Sequence, residues 1–553
     1  MKKYFSNDCF MKKVILYFAT VFIGINAYSQ NPYFEISKQM EIYNEVLKKL
    51  STNYIDEVNY GDLMQKNTKK MLNSLDRFTT FYDEQGILDQ KMRQQGHFGG
   101  MGISVKTTDS LILVMRVFKN TPAQKQGLLV GDKILEVGDK KVSELSRKVA
   151  SELLRGPKGS KVKLKIKRNN KIITKEIERD DIALDAVTDT ELINDIGYIR
   201  FVKFNAKASS QVKRAILNLK KQGAKKLIID IRNNPGGFLN EVVKIVNFFV
   251  PKGKIVVTTK GRFKKYSRTY ATKNESMDEE IPVVILVNSH SASASEILSG
   301  SLQDYDRAVI VGDTTYGKGL VQRTYKLKYG TYMKQTISKY YIPSGRLIQK
   351  IDYWHRDKNG KPTLMKDHDQ EKNYKTTNGR TVHNLGGVVP DVVISDKIEN
   401  SLIKDLINKN YLFDFATSYY YQHQKPDSIT DFKLPASIVN DFIKYLHRHK
   451  INPKSTDEIL LTKAYEKAKK TNQPASVLQQ YKTLLDVYSQ NDDEVILSHK
   501  DFIYNYLAED LAYRYFYIDG LTDYKLKHDK IVLKAIEILN NPTEYHKILG
   551  LKE

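Results

Sequence analysis

The chain has 553 residues and is too long for a single hydrophobic core, so several domains are expected. Hydrophobic residues make up 41% and charged residues 28% of the sequence, a balance that excludes a polytopic membrane protein. The formal charge is +25, but the basic residues are mostly lysine and are spread along the whole chain. Nucleic-acid binding is therefore not expected, and attraction to an envelope surface explains the charge more simply.

Residues 1–29 have the features of a secretory signal peptide. A basic start at residues 11–13 precedes an apolar run at residues 14–25, and Ala27 and Ser29 are spaced like a cleavage site. The alternative is a short membrane anchor, although the run is shorter than the about 20 residues that span a bilayer. We predict an exported protein of the periplasm or cell envelope, with the signal peptide removed.

Residues 30–93 are predicted to form a helical N-terminal region. Apolar residues recur every three or four positions at Ile36, Met40, Tyr43, Leu47 and Leu50, as on one face of a helix. A similar segment surrounds residues 63–75.

Residues 94–170 have the pattern of a small β domain, with short β-branched runs punctuated by glycine and proline. Strands are predicted at residues 102–105, 111–117, 133–137 and 161–167, with a helix at residues 142–154.

Residues 171–395 alternate apolar strands with helices, which predicts a layered α/β core. The predicted buried strands are residues 227–231, 283–287 and 308–311, and the predicted helices are residues 210–220, 238–249 and 293–304. Residues 350–380 are polar and lysine-rich, typical of a surface excursion. Residues 396–553 are predicted to be helical, with amphipathic segments at residues 502–517 and 525–539.

A run of small residues lies between the second predicted strand and the helix that follows it. Ser293 followed by Glu296 fits a helix capping box. The same geometry suits catalysis, because a serine at a helix N-terminus lies beside unpaired N–H groups and a positive dipole end, which an acyl-transfer oxyanion needs. The residues alone do not choose among Ser291, Ser293 and Ser295.

Lys318, between two glycines, is a candidate base for such a serine. It can act only if burial lowers its pKa well below about 10.4. Gln322 projects to the same side and could hold the amine by a hydrogen bond. The alternative is a phosphate-binding loop from Gly312 to Lys318, but Gly319 stands where a hydroxyl should bind magnesium.

Other polar residues complete the set of candidates. His290 is close to Ser293 in sequence, which leaves a Ser–His–Asp hydrolase as an alternative, although triad members are normally brought together by folding. The turn that contains Gly236 and Gly237 could supply a second oxyanion donor. No His-Glu-x-x-His or paired-cysteine spacing occurs, so no metal and no other cofactor is expected.

Several motifs together resemble the carboxyl-terminal processing, or tail-specific, serine peptidases. The resemblance implies a crotonase-like α/β protease core with an inserted PDZ domain, a helical N-terminal region and a helical C-terminal extension. The matching stretches follow the family's order and are Leu75–Phe81, Asp230–Gly237, Ser291–Ile297, Tyr316–Gln322, Tyr341–Arg346 and Gly387–Asp391.

Carried over by position, the resemblance implies a role for individual residues. It makes Ser293 the nucleophile of a Ser–Lys dyad, Lys318 the general base and Gln322 the residue that orients the base. The implied oxyanion donors are Gly236 or Gly237 and the N–H of Ala294.

The resemblance also extends to peptide recognition. Residues Phe98, Gly99, Gly100, Met101 and Gly102 resemble the PDZ loop whose N–H groups hold a C-terminal carboxylate. The strand that begins at Ile103 would pair with the peptide. Arg155 lies at a further family motif and is a candidate link between PDZ position and the active site.

Two features depart from the family pattern. Arg77 stands where the family commonly has proline, a change without evident catalytic meaning. Residues 396–553 match nothing that we can assign from the sequence.

The predicted function is that of a serine endopeptidase that cleaves exported or envelope polypeptides. Their C-terminal tails or unfolded segments would be recognised by the PDZ domain. An envelope adaptor or regulator and a homo-oligomer are further expected partners. The alternatives are a catalytically silent PDZ adaptor that retains the fold, and the Ser–His–Asp hydrolase.

Overall fold

A computed structural model describes residues 32–84, 86–87, 96–367, 372–384, 386–395, 397–490 and 492–551. The predicted signal peptide lies outside these residues. Among the helices that are described, none combines the length and apolarity needed to cross a bilayer. The chain divides after Ser74 into two compact units.

The first unit contains two helices, α1 (Pro32–Asn53) and α2 (Tyr60–Asn73). The side chain of Asn59 caps α2 by accepting a hydrogen bond from the N–H of Asp62 at 3.0 Å. The predicted apolar stripe lies on α1, but none of the α1 residues is buried, and Met40 is 61% exposed.

The second unit begins at Leu75, and its first strand is the short β1 (Thr80–Tyr82). This strand pairs with a later strand, Tyr332–Tyr341, although we predicted helix as far as residue 93. Thr80, Phe81 and Tyr82 favour extended backbone, and their pairing partner lies far along the chain.

The small β domain runs from His97 to Ala183. Its main sheet has the strand order β3-β4-β5-β7-β8, with β6 beside β5, and β2 pairs with β9 outside this sheet. Asn169 and Asn170 turn β7 into β8 with φ values of 44° and 63°, as a tight two-residue hairpin requires. The sheet therefore continues beyond residue 170. The elements are β2 (His97–Gly100), β3 (Ile103–Thr107), β4 (Ile112–Val117), α3 (Pro122–Lys125), β5 (Lys133–Val137), β6 (Lys140–Lys141), α4 (Arg147–Leu153), β7 (Lys161–Arg168), β8 (Lys171–Glu178) and β9 (Asp180–Ala183).

The α/β core is built on a six-stranded sheet of order β10-β11-β12-β15-β16-β23. Its strands are parallel except for β10, which is antiparallel to β11. The central strands β12, β15 and β16 are largely apolar and buried, because helices cover both faces of the sheet, whereas the edge strand β10 is mixed. The elements of this sheet and its first layer of helices are β10 (Val187–Ile193), β11 (Ile196–Phe201), α5 (Ala208–Lys221), β12 (Lys226–Asp230), α6 (Leu239–Val246), β15 (Val283–Val287), α7 (Ala294–Asp304), β16 (Val309–Gly312) and β23 (Val392–Val393).

A second sheet lies beside the core and follows the order β1-β18-β13-β14, with β17 on β18. Its strands are antiparallel. The predicted surface excursion forms two small hairpins. These elements are β13 (Ile255–Gly261), β14 (Arg268–Ala271), β17 (Leu320–Lys326), β18 (Tyr332–Tyr341), β19 (Ile351–Arg356), β20 (Pro362–Leu364), β21 (Asn373–Lys375) and β22 (Thr381–His383).

The C-terminal region is helical, as predicted, and it contacts both other parts of the second unit. Helix α14 kinks at Tyr517, where φ is 60°. Before the kink, Tyr513 packs into the core of the small β domain, and after it α15 covers the free face of the parallel sheet. The helices are α8 (Ser401–Asn408), α9 (Tyr411–Gln422), α10 (Ile438–Arg448), α11 (Thr456–Lys470), α12 (Ala475–Gln490), α13 (Asp492–Ser498), α14 (Lys500–His528), α15 (Lys530–Asn540) and α16 (Pro542–Ile548).

Candidate active site

Ser293 lies in the sharp connection between β15 and α7. Its φ of 58° and ψ of −112° are unusual for a residue with a side chain and carry a strain of about 1–3 kcal/mol. It is the N-cap residue of α7, and its N–H donates to Glu296 Oε2 at 2.7 Å. The predicted capping box is therefore present.

The three candidate serines have different surroundings. Ser291 and Ser295 are fully buried, and their hydroxyls donate to the carbonyl oxygens of Ile231 at 2.9 Å and Asn234 at 2.8 Å. Ser293 is only half-buried, and its hydroxyl donates to no residue that the structure describes. Of the three, Ser293 alone has a hydroxyl whose proton is not engaged in a hydrogen bond within the described chain.

Glu296 links the Ser293 segment to the Lys318 segment. Its buried carboxylate also accepts hydrogen bonds from the N–H of Gly317 at 2.6 Å and of Lys318 at 2.9 Å, and from the Thr315 hydroxyl at 2.6 Å. Burial raises the pKa of Glu296, and these donors act against that rise. The sequence predicted only the contact of Glu296 with its own helix.

Tyr340 joins the same two segments from the second sheet. Its buried hydroxyl lies 3.2 Å from the carbonyl oxygen of Ser293 and 2.6 Å from that of Lys318, and its one proton is shared between them, with the shorter bond to Lys318. Burial raises the pKa of Tyr340 well above its ordinary value, so the hydroxyl remains a donor. No sequence pattern pointed to this residue.

The amine of Lys318 lies 4.4 Å from the centre of the Phe78 ring. Burial, helped by the nearby charge of Lys334, lowers the pKa of Lys318 to about 8, although Glu296 and Asp76 act in the opposite direction. Within the described chain no hydrogen bond joins Lys318 Nζ to the Ser293 hydroxyl. In structures without substrate, catalytic hydrogen bonds are often long or absent.

Gln322 is on β17, and its amide donates to the Thr336 hydroxyl at 3.4 Å. Thr336 in turn donates to Asp76 at 3.2 Å. The structure therefore pairs Gln322 with Thr336 and not with Lys318. A β-bulge between Val321 and Gln322 interrupts the alternation from which we predicted that both side chains project together.

The glycine turn after β12 packs directly against Ser293. A Cβ on Gly236, whose φ is 91°, would lie 2.8 Å from the Ala294 nitrogen and 2.6 Å from the Ala292 carbonyl oxygen, so only glycine fits. The N–H of Gly236 donates to Asn234 Oδ1 at 3.0 Å and is not available to an oxyanion in this conformation. The N–H of Gly237 meets no acceptor in the described chain, and that of Ala294 is the first of α7.

The Leu75–Phe81 motif forms one wall of the site. The sequence of this motif did not predict that position. Arg77 donates to the Tyr316 hydroxyl at 2.7 Å, and Phe78 lies beneath the Lys318 amine. Asp76 fixes this turn by accepting from the N–H groups of Phe78 at 2.8 Å and Thr79 at 2.9 Å. The arginine that replaces the usual proline thus contacts the loop that carries the candidate base.

The structure favours neither alternative interpretation of these motifs, the Ser–His–Asp hydrolase or the phosphate-binding loop. The side chain of His290 is exposed to solvent. The loop from Gly312 to Lys318 leads into the strand β17, whereas a phosphate-binding loop leads into a helix.

The predicted peptide-binding loop lies at the edge of the small β domain. Phe98, Gly99 and Gly100 are in β2 and pair with β9. Met101 is buried, and the Gly102 carbonyl accepts from the Phe118 N–H at 2.9 Å. The following strand β3, which begins at Ile103, is the edge strand of its described sheet.

Helix α4 lies beside that edge strand. The hydroxyls of Thr107 on β3 and Ser151 on α4 are 2.7 Å apart. Arg155 follows α4, and its N–H donates to the Glu152 carbonyl at 2.9 Å. An edge strand beside a helix is the arrangement that adds a peptide as a further strand.

Three family models match the chain. They are Peptidase family S41 at residues 195–353, PDZ domain at residues 99–178, and "Probable PDZ-protease, C-terminal helical domain" at residues 402–539. The last assigns the region that we could not assign from the sequence.

Named relatives agree with these matches. A carboxy-terminal-processing protease of Bartonella bacilliformis is 33% identical over 357 residues, which cover 62% of this chain and 81% of the relative. Carboxy-terminal processing protease CtpA of Bacillus subtilis is 30% identical over 393 residues, which cover 70% of this chain and 82% of the relative. A solved photosystem II D1 C-terminal processing protease is 25% identical, with a TM-score of 0.37, over 64% of this chain and 86% of its own.

Proposed function

Because this chain belongs to the carboxy-terminal-processing proteases of peptidase family S41, we propose that it cleaves polypeptides with Ser293 and Lys318 as its catalytic pair. The chain is a serine-type peptidase with a PDZ domain. One observation carries the assignment of the pair: the Glu296 carboxylate accepts the N–H groups of both Ser293 and Lys318 and so holds the two residues together.

The proposed reaction begins with proton transfer. Neutral Lys318 takes the proton of the Ser293 hydroxyl while the serine oxygen attacks the scissile carbonyl carbon. The ammonium then gives that proton to the leaving amine, and an acyl-enzyme forms on Ser293. Water, deprotonated by Lys318, hydrolyses this ester and regenerates the serine. The lowered pKa of Lys318, about 8, supports its role as a base near neutral pH.

The tetrahedral intermediate needs N–H donors for its oxyanion. We assign this role to Ala294, at the positive end of α7, and to Gly237, whose N–H has no acceptor in the described residues. Gly236 is instead assigned a supporting role, because its N–H is bound to Asn234 and its missing side chain leaves room for the Ser293 turn. Gln322 would orient Lys318 only after exchanging its bond to Thr336.

Substrates are polypeptides, and we propose that their C-terminal tails or unfolded segments bind the PDZ domain. The edge strand β3 and helix α4 would hold the tail, and Phe98–Gly102 would face its carboxylate. Arg155, at the end of α4, is the proposed link from tail binding to the active site.

The setting of the reaction is a further part of the proposal. The signal-peptide pattern of residues 1–29 supports export to the periplasm or cell envelope. The exposed apolar stripe of α1 supports homo-oligomerisation or the binding of an envelope adaptor, because single domains seldom leave such a face uncovered.

Cleavage of an unstructured protein by point variants tests the catalytic pair. We expect wild type and His290→Ala to cleave, because His290 is exposed, and Ser293→Ala and Lys318→Ala each to lose activity by roughly 10³-fold or more. Equal activity of Lys318→Ala and wild type contradicts the proposal. Loss of activity in His290→Ala alone supports a Ser–His hydrolase, and a wild type that is silent towards every tested tail supports an adaptor.

A further inference from the structure

The hairpin between β13 and β14 ends in a tip that combines cations with an exposed aromatic ring. Residues 262–268 contain Arg262, Lys264, Lys265 and Arg268, and all four are exposed. Between Arg262 and Lys264 lies Phe263, whose surface is 56% exposed. We call residues 262–268 the basic tip.

The basic tip is an ordered structure and not a loose loop. The hydroxyl of Thr259 donates to the Tyr266 carbonyl at 3.0 Å, and the N–H of Gly261 donates to the Ser267 hydroxyl at 3.1 Å. The hydroxyls of Tyr266 and Tyr325 are 2.8 Å apart, which ties the tip to β17. These bonds fix the backbone on both sides of Phe263.

The cations of the tip have no carboxylate neighbours along the chain. From Val242 to Asn274 the sequence contains no Asp or Glu. Arg262 and Lys265 instead lie 5.6 Å and 5.8 Å from the centre of the Phe263 ring. Arg323, exposed on β17, adds a further cation on the strand to which the tip is tied.

We propose that the basic tip docks this protease on the surface of a bilayer that contains anionic phospholipid. Lysine and arginine are attracted to anionic headgroups, and an aromatic ring among them inserts at the boundary of headgroups and acyl chains. The exposed Phe263 ring among these cations favours a bilayer over an acidic polypeptide, because a polyanion alone offers no apolar layer to receive the ring. Docking would bring β17, which Tyr325 ties to the tip, towards the membrane.

Sedimentation of the full chain with lipid vesicles tests the proposal. The vesicles are phosphatidylcholine with and without phosphatidylglycerol, at low and physiological salt. We expect binding only to the anionic vesicles, weakened by salt. The double variant Lys264→Glu/Lys265→Glu should bind at least roughly 25-fold more weakly, since each cation near such a surface contributes about a factor of five.

A matched variant separates the effect of the basic tip on vesicle binding from the effect of overall charge. Lys469→Glu/Lys470→Glu makes the same charge change at an exposed helix end and should bind vesicles like wild type. Phe263→Ser keeps every charge and should weaken binding several-fold at physiological salt. Both tip variants should retain cleavage of a soluble unstructured protein, which shows that they fold.

Three outcomes overturn the proposal. These are equal vesicle binding by the tip variant and wild type, equal binding of wild type to neutral and anionic vesicles, and binding of poly-glutamate through the tip without binding to anionic vesicles. The last outcome would assign the tip to acidic polypeptides. None of these results bears on Ser293 and Lys318, so they leave the proposed catalytic pair intact.

Discussion

Glu296 and Tyr340 hold the same two residues, one by their N–H groups and the other by their carbonyl oxygens. The Glu296 carboxylate accepts the N–H groups of Ser293 at 2.7 Å and Lys318 at 2.9 Å. The Tyr340 hydroxyl shares its one proton between the Ser293 carbonyl at 3.2 Å and the Lys318 carbonyl at 2.6 Å. The backbones of the proposed nucleophile and base are thereby fixed, while their side chains remain free to react.

Glu296→Gln should lower kcat/KM by roughly 10-fold or more, because an amide cannot accept all the N–H groups that the carboxylate accepts. Glu296 also raises the pKa of Lys318, so the acid limb of the pH profile should move to lower pH. Rates measured across pH check both effects. Glu280→Gln, at an exposed position, is the control. An acid limb that stays at the same pH in Glu296→Gln contradicts the predicted effect of Glu296 on the pKa of Lys318.

Tyr340→Phe removes one hydroxyl and leaves the ring in its buried place. We expect kcat to fall about fivefold with little change in KM, because a neutral hydrogen bond contributes on the order of 1 kcal/mol. Steady-state kinetics check this, with Tyr329→Phe, at a ring that is 88% exposed, as the matched control. A variant with unchanged kcat would show that Glu296 alone suffices.

The pH dependence of cleavage should follow Lys318. Since the base must be neutral, kcat/KM should rise with pH and level off above about 8. Lys334→Gln removes a positive charge that lowers the pKa of Lys318, so the limb should move to higher pH. The exposed Lys328→Gln should leave it in place. If the acid limb of Lys334→Gln moved to lower pH, the result would contradict the assignment of Lys318 as the base.

Gly236→Ala should abolish cleavage, because the added Cβ would lie 2.9 Å from the Ser293 Cβ and displace the turn. Gly253→Ala is a close control: its φ is 86°, near the 91° of Gly236, but a Cβ there meets nothing within 4 Å. The control should lose only about 1 kcal/mol of stability and keep its activity. Thermal unfolding and cleavage rates measured together distinguish the two effects.

Local sequence patterns predicted an element well where the burial of that element sets the pattern of its apolar residues. The strands Lys133–Val137 and Val283–Val287 have the bounds that we predicted, because apolar runs and alternation are properties of neighbouring residues. The capping box of Ser293 and Glu296 is local in the same sense. The α/β core, the PDZ domain and the helical C-terminal region are likewise confirmed.

What the sequence by itself determined is therefore the set of elements and the motifs that carry reactive groups. Family resemblance singled out Ser293, but the physical difference from its neighbours appears only in the tertiary structure, because the acceptors that engage Ser291 and Ser295 lie 60 and 61 residues away. The tertiary structure also paired Gln322 with Thr336 through a bulge and brought Tyr340 to Lys318. Such contacts join segments that are distant along the chain, and a hydrogen bond between them leaves no periodic pattern in either segment.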